Sequence, residues 1–169
     1  RRKAGGPKGM TESRGRAAVA GFYDYMLSLS CRRGKRWATV FVSAAGRPER
    51  KRNDMKISGF TFIKNAVAYD FLVVESVRSV LPVVDEFIIV AGDSSDGTDE
   101  LLKVFDGEPK VRIIRTVWDT QTYDRGGMIY AQQTDVGLRA CTGDWCFYIQ
   151  SDEIMHHDAL PVIREACAK

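Results

Sequence analysis

From Met55 onward, apolar strand-like runs alternate with segments that are predicted to be helices. The strand-like runs, which are rich in β-branched and aromatic residues, are residues 56–63, 86–91, 110–117 and 145–150. The predicted helices are residues 69–81, 99–105, 128–140 and 158–168. This alternation constrains the fold more than any other feature of the chain.

Strands that are separated by helices pair in parallel through right-handed crossovers. The predicted fold is therefore an α/β fold, with a doubly wound, mostly parallel sheet and helices on both faces. Ligands bind to such a sheet outside the carboxyl ends of its strands. In this sequence the predicted ends carry polar groups: Lys64-Asn65, Gly92-Asp93-Ser94, Trp118-Asp119 and Ser151-Asp152-Glu153.

Charge divides the chain at the same point. Residues 1–54 hold 14 Lys/Arg and 4 Asp/Glu, a net charge of +10, whereas residues 55–169 hold 11 and 18, a net charge of −7. We therefore expect two parts: a basic segment, residues 1–54, and a folded domain, residues 55–169.

The basic segment is expected to be mostly disordered, because its apolar stretches are short, such as residues 37–45. A basic segment of this kind could bind nucleic acid or an acidic membrane surface, or could serve as a targeting segment. We favour a leader without function or a mis-extended gene start, since Met55 directly precedes the first well-patterned strand. No nucleic-acid partner is expected.

The four cysteines form no C-x-x-C pair, which indicates a reducing compartment. No apolar run approaches the roughly 20 residues of a membrane-spanning helix. The expected location is the cytoplasm, either free or at the cytoplasmic face of a membrane.

Asp152 and Glu153 are the strongest candidates for chemistry. They follow an aromatic-rich strand, and His156 and His157 lie shortly beyond. Mg²⁺ and Mn²⁺ are held by one or two carboxylates and completed by substrate phosphates, so a divalent metal and a diphosphate are expected beside Asp152. The alternative is that the two acids only cap the final helix or face solvent.

The turn at residues 92–98 is the second candidate. Asp96 is predicted to cap the following helix. Asp93 is not needed for capping, and its carboxylate could accept hydrogen bonds from a nucleobase or a ribose. Simple turn chemistry explains Asp93 equally well.

Two further elements are weaker. The amide of Asn65 can donate to and accept from a base edge, although Asn is also a common turn residue. In the loop at residues 118–127, Trp118, Arg125 and Gly126-Gly127 could meet a diphosphate or a sugar, whereas Trp118 could also be packed in the core.

Three segments together resemble the family-2 glycosyltransferases, which have the GT-A fold: ISGFTFIKN, IIVAGDSSDGT and CTGDWCFYIQSDE. The resemblance covers roughly 100 residues, and the order and spacing of the three motifs make it fairly specific. It implies that Asp152, assisted by Glu153, takes the place of the metal-binding last acid of the family's D-x-D motif. The residues implied to cradle the nucleotide are Phe62, Lys64, Asn65, Asp93, Gln150 and Ser151.

The sequence departs from the family pattern at three places. The family's frequent Arg-Asn pair is absent, with Thr134-Asp135 in its place. Ala91-Gly92 stands where two acids are usual, so that a base-contacting role passes to Asp93. Gln150 replaces the first acid of D-x-D, which leaves one fewer anionic ligand for the metal.

The implied activity is metal-assisted transfer of a sugar from a nucleotide diphosphate donor to the hydroxyl of an unidentified acceptor, either a glycan, a lipid or a small molecule. The family carries its acceptor surface and general base in a second half, which is expected beyond Lys169. The fold is therefore expected to be truncated on its C-terminal side, and no catalytic base is assigned.

Two other functions remain open. A phosphohydrolase of the haloacid dehalogenase type needs D-x-D-G-T after a strand, and the loop here, at residues 93–98, is one residue too long. A non-catalytic domain that binds a nucleotide or a partner is the more serious rival, because Gln150 stands at a metal position.

Overall fold

The computed structural model describes residues 27–28, 40–43, 55–122 and 127–168. Six strands are present in this part of the chain: β1 (Leu27–Ser28), β2 (Val40–Ser43), β3 (Ile57–Ile63), β4 (Glu86–Gly92), β5 (Val111–Thr116) and β6 (Trp145–Tyr148). The same part contains the helices α1 (Val73–Val80), α2 (Thr98–Leu102), α3 (Met128–Ala140) and α4 (Ala159–Cys167), with a 3₁₀ turn at Lys103–Phe105 after α2. None of these helices is long and apolar enough to cross a membrane.

The strands form one sheet in the order β1-β2-β6-β3-β4-β5. β3 lies at the centre and pairs in parallel with β4 on one side and with β6 on the other, and β5 extends the parallel part beyond β4. This order brings the carboxyl ends of β6, β3 and β4 side by side. The predicted α/β fold with a mostly parallel sheet is confirmed.

Both faces of the sheet are covered, because successive side chains of a strand point to opposite sides. On one face, Ile57 and Ile63 of β3 belong to a buried cluster with residues of α1, α2 and α4. On the other face, Phe60 of β3 and Ile88 of β4 pack with Val136 of α3. The near-continuous apolar sequence of β4 is typical of a strand buried on both faces.

Two antiparallel strands extend the sheet beyond β6. β2 pairs with β6 from Val40 opposite Tyr148 to Ser43 opposite Trp145, and β1 pairs with β2. Both lie in the basic segment that was expected to be mostly disordered, and β2 falls within its apolar stretch at residues 37–45. The remainder of that segment lies outside the described residues.

The predicted elements are close to the observed ones, but β6 ends at Tyr148 instead of residue 150 and residues 103–105 form a 3₁₀ turn. The largest difference is at the start of α1. The predicted helix at residues 69–81 begins instead at Val73. Asn65 and Asp70 have φ angles of 52° and 54°, in the left-handed region that interrupts a right-handed helix. Residues 64–72 are therefore a loop, which lies at the carboxyl end of the central strand.

Candidate active site

A cavity of about 760 Å³ opens at the carboxyl ends of β3 and β6. Six of the eight site residues predicted from the sequence line it: Phe62, Lys64, Asn65, Gln150, Ser151 and Asp152. The parallel strands β3 and β6 therefore bring residues 62–65 and residues 150–152, which are far apart in sequence, to one cavity. Asp93 and Glu153 are not among the residues that line this cavity.

Aromatic side chains form one wall of the cavity. The ring of Phe62 stacks on Tyr148 and on Tyr130, with centroid distances of 5.8 and 5.9 Å and interplanar angles of 13° and 20°. Trp118 meets the Phe62 ring edge-on at 6.2 Å. Tyr69 and Phe71 of the 64–72 loop also line the cavity. The wall offers broad apolar rings against which a planar ligand can stack.

Tyr130 and Tyr148 also line the cavity but are not among the site residues predicted from the sequence. Tyr148 is the last residue of β6 and precedes Gln150 by two positions, which was a usable signal. Tyr130 lies in the first turn of α3, far from Phe62 along the chain. Its contact with the wall follows only from the packing of α3 on the sheet.

Asp93 is held by two neighbours at the end of β4. Its Oδ1 accepts a hydrogen bond from Lys64 Nζ at 2.7 Å and another from the backbone amide of Trp118 at 3.0 Å. These two hydrogen bonds hold the pKa of the Asp93 carboxyl below its usual value. The carboxylate thus joins the ends of β3, β4 and β5.

Asn65 connects the 64–72 loop to the turn after β4. Its side-chain Oδ1 accepts a hydrogen bond from the backbone amide of Ser95 at 3.0 Å, and its backbone amide donates to Ser94 Oγ at 2.9 Å. The amide of Ala66 donates to Thr98 Oγ1 at 2.7 Å. Asn65 therefore has the turn role that its residue type allows, and it fixes one margin of the cavity.

The predicted N-cap role of Asp96 is wrong by one position. Gly97, with a φ of 86°, is the N-cap of α2. Asp96 precedes it and accepts hydrogen bonds from the backbone amide and the hydroxyl of Thr98. Its second oxygen accepts from the amide of Ala68 at 2.7 Å, so that Asp96 ties the 64–72 loop to α2.

The acidic end of the cavity follows β6. Asp152 is exposed and lines the cavity, whereas Ser151 is buried. The carboxylate of Glu153 instead accepts from the backbone amide of Gln150 at 3.1 Å. The pKa of Glu153 is raised, mainly by burial and also by the charge of Asp152. The hydrogen bond from Gln150 lowers this pKa but does not reverse the shift. Asp152 is thus the acid that faces the cavity.

This donor set fits a Mg²⁺ or Mn²⁺ ion that is held by one carboxylate and completed by phosphate oxygens. Asp152 offers the carboxylate, and the Gln150 side chain, which is also exposed on the cavity, offers a neutral oxygen. A site with Glu153 as a second ligand would require Glu153 to leave the Gln150 amide.

His156, His157 and Asp158 form an exposed cluster at the start of α4. His157 Nε2 lies 3.0 Å and His156 Nδ1 lies 3.5 Å from the Asp158 carboxylate. Their potential ligand atoms all lie within 4.8 Å of one another. None of the three residues lines the cavity.

The loop at residues 118–127 is described only in part. Trp118 lines the cavity, as one of its two predicted roles requires, and Gly127 is the N-cap of α3 with a φ of 75°. Arg125 and Gly126 lie outside the described residues.

The parallel strands β6, β3, β4 and β5, with a cavity at the carboxyl ends of β3 and β6, define the class: a doubly wound α/β domain whose cavity lies where such sheets bind ligands. The sequence model of glycosyl transferase family 2 matches residues 72–169, more than half of the chain. The chain belongs to glycosyl transferase family 2.

Solved structures of the same fold include the 1–349 fragment of S. aureus TarS, which has 18% identity and a TM-score of 0.50. The match covers 66% of this chain and 32% of that one. The same fragment was solved in complex with UDP (20% identity, TM-score 0.47, 66% and 32% coverage). Glucosyl-3-phosphoglycerate synthase from Mycobacterium tuberculosis, in complex with UDP, also matches (22% identity, TM-score 0.42, 67% and 42% coverage).

The chain therefore spans about a third of the length of the TarS fragment. No curated protein is significantly similar to it. The likeness to the TarS fragment at a TM-score of 0.50 concerns the fold alone, and the family match establishes the family.

Proposed function

We propose that this chain is the donor-binding part of a glycosyltransferase that uses a nucleotide diphosphate sugar. The observation that carries the proposal is the cavity itself, which places an aromatic wall around Phe62 and an exposed carboxylate, Asp152, at the carboxyl ends of adjacent strands. Aromatic rings suit a nucleobase, and a carboxylate suits a metal-bound diphosphate. Membership of glycosyl transferase family 2 supports sugar transfer as the reaction.

In the proposed reaction, the bond between the sugar's anomeric carbon and the diphosphate breaks, and a bond to an acceptor hydroxyl oxygen forms with inversion. The hydroxyl proton passes to a base, which we assign to no residue of this chain. Asp152, with Gln150 beside it, would hold the divalent ion. When bound there, Mn²⁺ or Mg²⁺ neutralises the charge that develops on the departing diphosphate.

Calorimetry of the full chain tests this proposal. We expect UDP or another nucleoside diphosphate to bind in the presence of Mn²⁺, and Asp152→Asn to weaken binding at least tenfold, the scale of one lost charged ligand. Asp106→Asn is the matched control, because it removes an exposed carboxylate outside both the cavity and the His156–Asp158 cluster. Equal affinities for wild type and Asp152→Asn would contradict the proposal.

A second candidate is a nucleotide-binding domain without transferase chemistry. The observation that favours it is Gln150, a neutral side chain two positions before the exposed Asp152. This function predicts that nucleotides bind with the same affinity whether Mn²⁺ or a chelator is present. Strong Mn²⁺ dependence would exclude it.

A further inference from the structure

Lys64 and Asp93 join the ends of β3 and β4 through an ion pair, and only Lys64 lines the cavity. The Lys64 side chain is 23% exposed, whereas the Asp93 side chain is 48% exposed and is not among the residues that line the cavity. Of the two charged residues in this pair, Lys64 is therefore the one that lines the cavity.

Two contacts restrict the position of the Lys64 ammonium. Asp93 Oδ1 accepts from it at 2.7 Å, and the ammonium lies 5.6 Å from the centre of the Trp118 ring. Asp93 also accepts from the Trp118 backbone amide, so the same carboxylate positions both the cation and the ring beneath it. Lysine is otherwise a flexible side chain, and such anchoring gives its donors a fixed location.

The strand order indicates which part of a nucleotide lies near Lys64. Asp152 follows β6, and the Lys64–Asp93 pair bridges β3 and β4, with β3 between β6 and β4. Neighbouring strands are about 4.8 Å apart, so β4 lies roughly 10 Å from β6. A diphosphate bound beside Asp152 would therefore leave the nucleobase near Lys64 and Trp118.

We propose that Lys64 determines nucleobase specificity by donating a hydrogen bond to a carbonyl oxygen of the base, and that Asp93 is a positioning residue that acts through Lys64. The inference rests on the proposed nucleotide site and deepens it. It differs from a direct contact between Asp93 and the base, in which a carboxylate would accept from the base.

The chemistry of the two groups predicts opposite preferences. An ammonium only donates, so it favours the carbonyl O4 of uracil and O6 of guanine over the amino groups of cytosine and adenine at the equivalent positions. A carboxylate only accepts, so it would favour the amino groups. UDP against CDP is the simplest pair of probes, because the two differ at position 4 of the ring.

The affinities of UDP and CDP for the full chain with Mn²⁺ provide the test. We expect wild type to bind UDP about tenfold more tightly than CDP, the scale of one hydrogen bond. Lys64→Met should reduce this ratio to about one, and Lys64→Arg should retain most of it. Lys103→Met is the matched control, since it removes an ion-paired lysine on the surface and should leave the ratio unchanged. Thermal unfolding of each variant verifies its fold.

A double-mutant cycle separates positioning by Asp93 from direct contact. When Lys64 is present, Asp93→Ala should lower the ratio of UDP affinity to CDP affinity severalfold. In the Lys64→Met background, Asp93→Ala should leave this ratio unchanged. A further effect in that background would show that Asp93 contacts the base itself and would overturn the assignment.

Two other results would also overturn the inference while leaving the proposed function intact. One is wild-type binding of UDP and CDP with equal affinity. The other is an equal loss of both nucleotides in Lys64→Met, which would place the ammonium on the phosphates. If no nucleoside diphosphate bound the wild-type chain, the proposed function would fail and this inference with it.

Discussion

Gly92 and Trp118 pack so closely that a side chain at position 92 would occupy space that the indole ring fills. A Cβ built on Gly92 would lie 2.7 Å from the indole Cδ1 and 3.0 Å from Cε2. The indole Nε1 is buried and has no hydrogen-bond partner among the described residues. Van der Waals contact with the bare backbone of β4 thus sets the position of Trp118, and through it part of the cavity wall.

Gly92→Ala should therefore destabilise the chain and weaken nucleotide binding. Removing a strand glycine reduces the entropy lost on folding by roughly 0.5–1 kcal/mol, but overpacking costs about 1–3 kcal/mol and should prevail. The free energy of unfolding in urea measures the balance. In a Trp118→Ala background, Gly92→Ala should lower the free energy of unfolding by less than it does when the ring is present. If Gly92→Ala alone unfolded like wild type, the Trp118 ring would be free to move aside.

The metal site should depend on Asp152 and not on Glu153. Glu153→Gln keeps an oxygen that can accept from the Gln150 amide, so the loop should keep its conformation. We expect Mn²⁺-dependent UDP binding to stay within about twofold of wild type in Glu153→Gln, well under the tenfold that corresponds to about 1.4 kcal/mol. A loss in Glu153→Gln as large as that in Asp152→Asn would show that Glu153 turns toward the ion when ligand binds.

Glu153 also predicts a pH dependence of stability. Its pKa is raised in the folded chain above the reference value of 4.5, mainly by burial, so the folded state holds the proton more tightly than the unfolded state. This group therefore lowers stability as pH rises from about 4.5 through the raised pKa. In urea titrations across that range, Glu153→Gln should gain stability relative to wild type as pH increases. A constant difference across that range would show that folding does not raise the pKa of Glu153.

Glu86 should show the opposite pH dependence. Its Oε1 accepts from Ser58 Oγ at 2.5 Å, from the Thr142 amide at 2.5 Å and from Thr142 Oγ1 at 2.8 Å. Burial raises the Glu86 pKa, but these hydrogen bonds outweigh burial and the net shift is below 4.5. The stabilisation is fully present above pH 4.5 and is lost as pH falls through the lowered pKa.

Glu86→Gln should thus cost about 1–2 kcal/mol at pH 7, the scale of weakened hydrogen bonds to a charged acceptor, and less at pH 3. Urea unfolding at both pH values measures the two costs. Glu100→Gln, which removes an exposed carboxylate, is the control and should change stability by less than about 0.5 kcal/mol. If the cost of Glu86→Gln were the same at both pH values, the charge of Glu86 would have no part in the network.

The sheet was predictable because apolar runs and helical spacing are local signals, and alternation then determines parallel pairing. The start of α1 could not be predicted, because the spacing of apolar residues carries no information on the left-handed backbone of Asn65 and Asp70. In the site, the predicted strand ends pointed to Lys64, Asn65 and Asp152, whereas Phe62 was implied only by the family resemblance; all four residues line the cavity. The pairing of Asp93 with Lys64 joins residues that are neighbours only across the sheet, so the sequence could suggest a carboxylate at the site but not which group it serves.

A second close contact, between Gly137 of α3 and Phe60 of β3, tests how α3 docks on the sheet. A Cβ on Gly137 would lie 2.5 Å from Phe60 Cδ2. Alanine is the better helix former by about 1 kcal/mol, yet overpacking against a buried ring costs about 1–3 kcal/mol, so Gly137→Ala should lower the free energy of unfolding.

Because Tyr130 lies on the same helix, Gly137→Ala should also weaken UDP binding. Adding Phe60→Leu should recover stability relative to Phe60→Leu alone, since the smaller side chain removes the clash. If Gly137→Ala instead stabilised the chain, helix propensity would outweigh packing and α3 would be able to shift without cost.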